Sequence, residues 1–233
     1  MQNEPGVYLI PVTLFPEALH TISPEVLPAI QQCQVFFVED ERTARRFCKK
    51  IWPQMVIDHY EWVAIHKAEE AAVQRFLAVL KEGKTCGIIS EAGCPGIADP
   101  GQILVNAAQE MGKIVKPLTG PSSILLALMA SGLNGQQFTF NGYLPVDGLE
   151  RKKKIKALEQ ELRKTGATQI FIETPYRNNQ LLETIVQTCD AQTRLCIAAN
   201  ITSPEESVKT MSMAAWKKQL PNLHKIPVIF LLG

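Results

Sequence analysis

The segment Ser90-Glu91-Ala92-Gly93-Cys94-Pro95-Gly96-Ile97-Ala98-Asp99-Pro100-Gly101 is the densest group of chemistry-bearing residues in the chain. Gly93, Gly96 and Gly101 let the backbone approach a ligand closely and take up positive φ. The segment follows the apolar run Cys86-Gly87-Ile88-Ile89 and precedes a helical pattern. It is therefore a strand-to-helix loop, and open α/β sheets bind ligands at the carboxyl ends of their strands. It matches neither Gly-x-Gly-x-x-Gly nor Gly-x-x-x-x-Gly-Lys-Ser/Thr, which argues against dinucleotide and P-loop nucleotide sites. On these residues alone, a structural loop is an equal reading.

Thr119-Gly120-Pro121-Ser122-Ser123 collects hydroxyls and free amides at a helix start where two halves of the chain join. Domain junctions are favoured ligand sites, and Ser122 equally suits a helix N-cap. Glu39-Asp40-Glu41-Arg42 ends another apolar run, where acidic groups suit the positive end of a helix dipole. Glu173-Thr174-Pro175-Tyr176-Arg177 sets a carboxylate and a guanidinium at a strand end, as an internal salt bridge or as substrate contacts. Asp99, Glu173 and Arg177 are thus the candidates for catalysis, with no general base singled out. The run Arg151-Lys152-Lys153-Lys154-Ile155-Lys156 reads first as a solvated helix face and second as a phosphate contact. His20, His59, His66 and His224 share no ligand spacing, and the six cysteines form no Cys-x-x-Cys. No metal is expected.

The elements that must position these residues alternate in the first half. Val7-Tyr8-Leu9-Ile10, Val35-Phe36-Phe37-Val38 and Cys86-Gly87-Ile88-Ile89 are apolar runs, with Val56-Ile57 and Ile114-Val115 as weaker strands. Ser23-Pro24-Glu25 signals a helix start, a hydroxyl N-cap followed by proline. Helices are expected over Glu41 to Lys50, Lys67 to Glu82 and Gln102 to Met111. Strands without polar alternation, joined by helices, predict a parallel sheet covered on both faces. A linker from Leu118 divides the expected domains into 1–117 and 118–233. Beyond it, helices are expected over Ser123 to Ala130, Arg151 to Lys164 and Asn179 to Cys189, with a short one near Trp216. Strands are expected over Phe138 to Phe140, Gln169 to Glu173, Leu195 to Ala199, Val208 to Ser212 and Val228 to Leu232. The last third has little helix between its strands, so the second sheet should be mixed. The fold class is α/β, in two domains.

Composition bounds the function. The 233 residues are 46% hydrophobic and 20% charged, as in folded globular chains. A net charge of +1 lacks the basic excess of a dedicated duplex-binding domain. No apolar run reaches the roughly 18 residues of a membrane span, and no leader pattern opens the sequence. Reduced core thiols in a cytoplasmic protein are expected.

The loop at 90–101 resembles the Ser-Asp-Ala-Gly-x-Pro-x-Ile-x-Asp-Pro-Gly signature of the tetrapyrrole methylase superfamily. Pro117-Leu118-Thr119-Gly120-Pro121 resembles the Pro-Leu-Pro-Gly-Pro segment of its ribosomal RNA small subunit methyltransferase I branch. Gly142-Tyr143-Leu144-Pro145 is similar to that branch's Gly-Phe-Leu-Pro, Glu173 to Arg177 to its Glu-x-x-x-Arg, and Glu39 to Arg42 to its Glu-Asp-Thr-Arg. The matches run in family order across nearly the whole chain. The sequence departs where Pro11 to Pro16 lacks a Gly-Asn pair, where residue 91 is Glu, and where Ala199-Asn200-Ile201-Thr202-Ser203 replaces Arg-Glu-Leu-Thr-Lys.

The resemblance implies a two-domain α/β fold with S-adenosylmethionine between the domains, and a homodimer. By motif match the donor would be contacted by Ala92, Gly93, Cys94, Ile97, Ala98, Ser122 and Ser123. It implies methylation of small-subunit ribosomal RNA at a ribose 2′-hydroxyl, with the small ribosomal subunit as partner and no membrane. Methylation of a tetrapyrrole or another small molecule, and a cofactor-binding protein impaired in catalysis, are the alternatives.

Overall fold

The computed structural model describes residues 6–65 and 69–233. The expected helix start at Lys67, His66 and the first five residues lie outside the described residues. The chain divides into two compact units, Met1–Ser122 and Ser123–Gly233. The division falls later than residue 117 because the segment after the last strand of the first unit stays tied to it. The Leu118 amide donates to the Leu9 carbonyl at 3.1 Å.

In the first unit, β1 (Val7–Ile10), β2 (Val35–Val38), β3 (Glu61–Ala64), β4 (Cys86–Ile89) and β5 (Val115–Pro117) form one sheet in the order β3-β2-β4-β1-β5. All its pairings are parallel. The helices are α1 (Val26–Gln32), α2 (Glu41–Ile51), α3 (Glu69–Lys81) and α4 (Gln102–Glu110). Successive side chains of a strand point to opposite faces, so neighbours serve two cores. Phe36 packs with Ile10, Val38 and Phe47 on one face, and Phe37 with Phe76, Ile88 and Leu104 on the other. Both phenylalanines are fully buried, each contributing roughly 2–3 kcal/mol by removal from water. This two-sided burial is why the strands read as unbroken apolar runs.

Two local expectations are corrected. Val56 is half exposed, and Ile57–His59 is a single 3-10 turn, so the third strand is Glu61–Ala64. The first helix starts at Val26 with Glu25 at its cap, and Ser23 Oγ accepts from the Glu25 amide at 3.3 Å instead of capping.

The second unit holds β6 (Phe138–Tyr143), β7 (Thr168–Ile172), β8 (Arg194–Ala199), β9 (Ser207–Ser212) and β10 (Val228–Leu232), in the order β6-β7-β10-β8-β9. Only β6 and β7 pair in parallel; the other pairings are antiparallel, as expected of a mixed sheet. Its helices are α5 (Ser123–Ser131), α6 (Gly148–Thr165), α7 (Asn178–Thr188) and α8 (Met213–Trp216). Phe171 and Phe230 stack at 5.9 Å in a core shared with Ile155, Leu158, Leu181 and Ile185. No helix among the described residues is long and apolar enough to cross a membrane.

Candidate functional site

Because every strand of the first sheet runs the same way, the segments that follow β1, β2 and β4 leave from one edge. They are fastened to one another. Val12 and Gly93 exchange backbone hydrogen bonds at 2.8 and 3.0 Å. Glu39, at the end of β2, accepts from the Glu91 amide at 2.8 Å through Oε2. Gly93 (φ 77°) and Gly96 (φ 82°) take the left-handed conformation, and so does Ala98 (φ 61°). Glycine enters that region at little cost, whereas Ala98 is strained, and strained backbone of that kind clusters at functional sites.

The rest of the loop is held from within. Asp99 Oδ1 accepts from the amides of Gly96 and Gly101, both at 2.8 Å, while its buried Oδ2 has no partner. Burial pushes the Asp99 carboxyl up from its ordinary value, against the pull of those two amides. This carboxyl thus organises the loop it sits in. Cys94 Sγ donates to the Pro121 carbonyl at 3.4 Å, which joins the glycine loop to the 119–123 segment. Its thiol is raised by burial and by the charge of Asp99. A Cβ on Gly93 would lie 3.4 Å from Leu14 and 3.5 Å from the Pro121 carbonyl. Ala92, Ile97 and Ala98 are exposed, and the amides of Cys94 and Ala98 have no hydrogen-bond partner among the described residues. Bare backbone, unused donors and exposed apolar side chains, of which Ile97 is the largest, suit a ligand with both polar and apolar parts, as S-adenosylmethionine has. Ser122 is the last residue of the first unit, and Ser123 opens α5 in the second.

Glu173 and Arg177 lie in the second unit, after β7. Glu173 Oε1 accepts from Arg177 Nη2 and from the Thr174 amide, both at 2.6 Å. Burial raises the Glu173 carboxyl, but the guanidinium and the amide outweigh it and hold it below its ordinary value. Of the two sequence readings, this is the internal ion pair.

The basic run divides. Asp147 caps α6 by accepting from the Leu149 and Glu150 amides, both at 2.9 Å. Arg151 shares the buried stripe of Ile155, Leu158 and Glu159, so it is not part of a solvated face. Lys152, Lys154 and Lys156 are exposed with no carboxylate partner among the described residues, whereas Lys153 pairs with Glu150 at 2.8 Å. The altered segment after β8 places Ala199 and Asn200 on the wall of a second-unit cavity of about 520 Å³. Among the described residues no His, Cys, Asp and Glu group of three or more could hold a metal.

Sequence reasoning missed a cavity of about 480 Å³ in the first unit, lined by Val12, Leu14, Thr43, Arg46, Lys50 and Ala92 among others. Its signal was the 43, 46, 50 spacing on a helix opened by an aspartate. Asp40 Oδ1 caps α2 by accepting from the Thr43 amide at 2.7 Å.

The family pattern described as tetrapyrrole (corrin/porphyrin) methylases matches residues 9–215. The chain is 31% identical over 212 residues to ribosomal RNA small subunit methyltransferase I of Mesorhizobium japonicum, covering 91% of this chain and 69% of that one. It is 29% identical over 234 residues to the protein of that name from Escherichia coli O157:H7, covering 97% and 77%. Among solved structures, the methyltransferase CobJ superposes with a TM-score of 0.66 at 18% identity, covering 99% of this chain and 94% of that one. Diphthine synthase superposes with a TM-score of 0.69 at 14% identity, covering 97% and 88%. The chain belongs to the tetrapyrrole methylase family. It is an S-adenosylmethionine-dependent methyltransferase.

Proposed function

We propose that this chain methylates small-subunit ribosomal RNA at a ribose 2′-hydroxyl, with S-adenosylmethionine held by Ala92, Gly93, Cys94, Ile97, Ala98, Ser122 and Ser123. The observation that carries the reading is the glycine loop after β4, with left-handed backbone at Gly93, Gly96 and Ala98, unused amides and an exposed Ile97. The similarity to proteins named ribosomal RNA small subunit methyltransferase I supplies the acceptor class. The donor's sulfonium supplies an activated methyl group for direct displacement. The loop's part is to fix that methyl in line with the acceptor oxygen, since alignment of reacting atoms can lower a barrier by several kcal/mol. The exposed Lys152, Lys154 and Lys156 support RNA as the acceptor, because unpaired cations are free to meet phosphates. The same reading includes a homodimer, supported by the exposed Tyr143, Val146 and Leu149 of the second unit.

The test is transfer of labelled methyl from S-adenosylmethionine to small ribosomal subunits from a strain lacking the protein. Label in RNA at one linkage that resists alkaline cleavage is the expected result. Label in a tetrapyrrole precursor alone would move the acceptor to the small-molecule class. Donor binding without transfer to any acceptor would make the chain a cofactor-binding protein.

A further inference from the structure

We propose that the cavity between the segment after β1 and helix α2 seats a nucleotide of the RNA acceptor, with Arg46 holding its phosphate. This rests on the RNA reading above and names where in the first unit the acceptor is gripped. Thr43, Arg46 and Lys50 recur at three- and four-residue intervals, so α2 turns them to one side, and all three line the cavity. The cations of this helix differ in what they already do. Lys50 Nζ donates to the Pro16 carbonyl at 2.9 Å and so ties the segment after β1 to α2. Arg45 pairs with Glu41 at 2.9 Å and lies over the Trp62 ring at 5.4 Å. Arg46 is exposed and has no carboxylate partner among the described residues. A guanidinium left unpaired at the rim of a cavity is suited to bidentate contact with phosphate.

The remaining walls suit the rest of a nucleotide. Val12, Leu14 and Phe47 give apolar surface for a base or ribose face. Glu91, on the loop side, is an acceptor for hydroxyl or base N–H donors and repels a second phosphate. Thr43 adds a hydroxyl. Ala92 belongs both to this wall and to the loop assigned to the donor, so an occupant abuts the donor site. The walls are fixed in advance by the Val12–Gly93 pairing and by the Glu39 contact to the Glu91 amide.

The experiment compares wild type with Arg46→Ala, Arg46→Lys and Lys81→Ala, an exposed, charge-matched change at the end of α3. Methyl transfer to small-subunit RNA, RNA binding across a salt series, donor affinity and thermal melting are measured for each. For Arg46→Ala the RNA KM should rise about tenfold, the scale of one lost charge-assisted contact, with kcat held within about twofold. Its log–log salt slope should shrink by about 0.7, one phosphate contact on a single strand. Donor affinity and melting should not change, Arg46→Lys should recover part of the KM, and Lys81→Ala should behave as wild type. Wild-type KM and slope in Arg46→Ala, alongside wild-type transfer to RNA, overturn the cavity assignment and leave the RNA reading standing. A Lys81→Ala defect equal to that of Arg46→Ala also overturns the assignment, since the effect would then be overall charge. Absence of transfer to RNA by wild type itself overturns the RNA reading and this proposal with it.

Discussion

After β4 the chain turns through glycine at Gly93 (φ 77°) and Gly96 (φ 82°); after β8 it turns through Asn200 (φ 51°) and Thr202 (φ 71°). Both turns need left-handed backbone, but only the first meets the need mainly with residues that adopt it at little cost. Asparagine tolerates the region, whereas a β-branched residue there is an outlier. The second turn is held by a side-chain and a backbone bond, as the first is held by the Asp99 carboxyl. Glu206 Oε2 accepts from the Thr202 amide at 2.6 Å, and the Ser203 amide donates to the Asn200 carbonyl at 2.9 Å. Both are pinned by a neighbouring carboxylate, Asp99 in the first and Glu206 in the second; the first turns mainly on low-cost glycine, whereas the second turns on a β-branched residue. Substitutions that exchange these properties test the contrast.

The largest effect should come from giving the first loop a side chain where it has none. In Gly93→Val the new Cβ would already stand in ordinary van der Waals contact with Leu14 at 3.4 Å and the Pro121 carbonyl at 3.5 Å, so the crowding falls to the branching methyls beyond it, at a φ a branched residue rarely adopts. Donor affinity should fall by more than about 100-fold, equivalent to roughly 2.7 kcal/mol. Gly96→Ala separates strain from crowding. Its φ is also positive, but open space surrounds the new carbon, so only about 1 kcal/mol of backbone cost is expected. Calorimetric titration with S-adenosylmethionine and urea denaturation of both variants measure this. Undiminished donor binding by Gly93→Val would make the loop purely structural.

A smaller effect should follow from Asp99. Asp99→Ala leaves the Gly96 and Gly101 amides without their acceptor, and unsatisfied groups of this kind cost about 1–3 kcal/mol. Asp99→Asn keeps an acceptor oxygen and replaces the unpartnered Oδ2 with a donor. The folded carboxyl is raised above its unfolded value, principally by burial. The folded state therefore binds its proton more tightly. Stability from this group is full below the unfolded pKa and is lost as pH rises through the folded one. Asp99→Asn should gain on wild type between acid and neutral pH, read as the difference in urea midpoints at pH 4 and pH 7. An unchanged difference would show that Asp99 does not titrate differently on folding. Near-wild-type methyl transfer by Asp99→Asn, with loss in Asp99→Ala, is expected of a group that organises the loop.

The same contrast shows what the sequence could and could not disclose. The glycine loop was legible because glycine marks positive φ, which holds at Gly93 and Gly96 but not at Gly101 (φ −64°), where Ala98 takes the left-handed place instead; the parallel sheet was legible because strands buried on both faces lose polar alternation. The third strand was misplaced because Glu61–Ala64 is only half buried, whereas the exposed Val56 beside Ile57 mimics a strand. Arg151 was hidden by its company. Five basic residues in six read as solvated, although Arg151 stands four residues before the buried Ile155 and shares its stripe. Arg46 was overlooked because a lone exposed arginine on a helix has no signature until Lys50 and Thr43 are seen to line the same cavity. The strain at Thr202 had no sequence marker, because that residue is the kind a left-handed turn disfavours.

The smallest effect, and the one with the opposite sign, belongs to that residue. Thr202→Gly removes a β-branched side chain from φ 71° and a buried hydroxyl oxygen that has no hydrogen-bond partner. Relief of left-handed strain is worth about 1–2 kcal/mol, and loss of an unsatisfied hydroxyl adds to it. Against this stands the greater freedom of glycine in the unfolded chain, about 0.4–1 kcal/mol. The hydrogen bond that the residue 202 amide donates to Glu206 Oε2 does not involve the side chain of residue 202 and survives the change. The balance is a gain of about 1 kcal/mol, which for a chain of this size raises the melting temperature by about 2–4 °C. Differential scanning calorimetry of Thr202→Gly beside Gly96→Ala makes the comparison direct, because one variant removes a side chain from a left-handed position and the other adds one. Melting temperatures that move in opposite directions sustain the contrast between the loops. A fall in both would mean that packing of the Thr202 side chain outweighs its strain, and that the second turn is as well fitted to its residue as the first is to glycine.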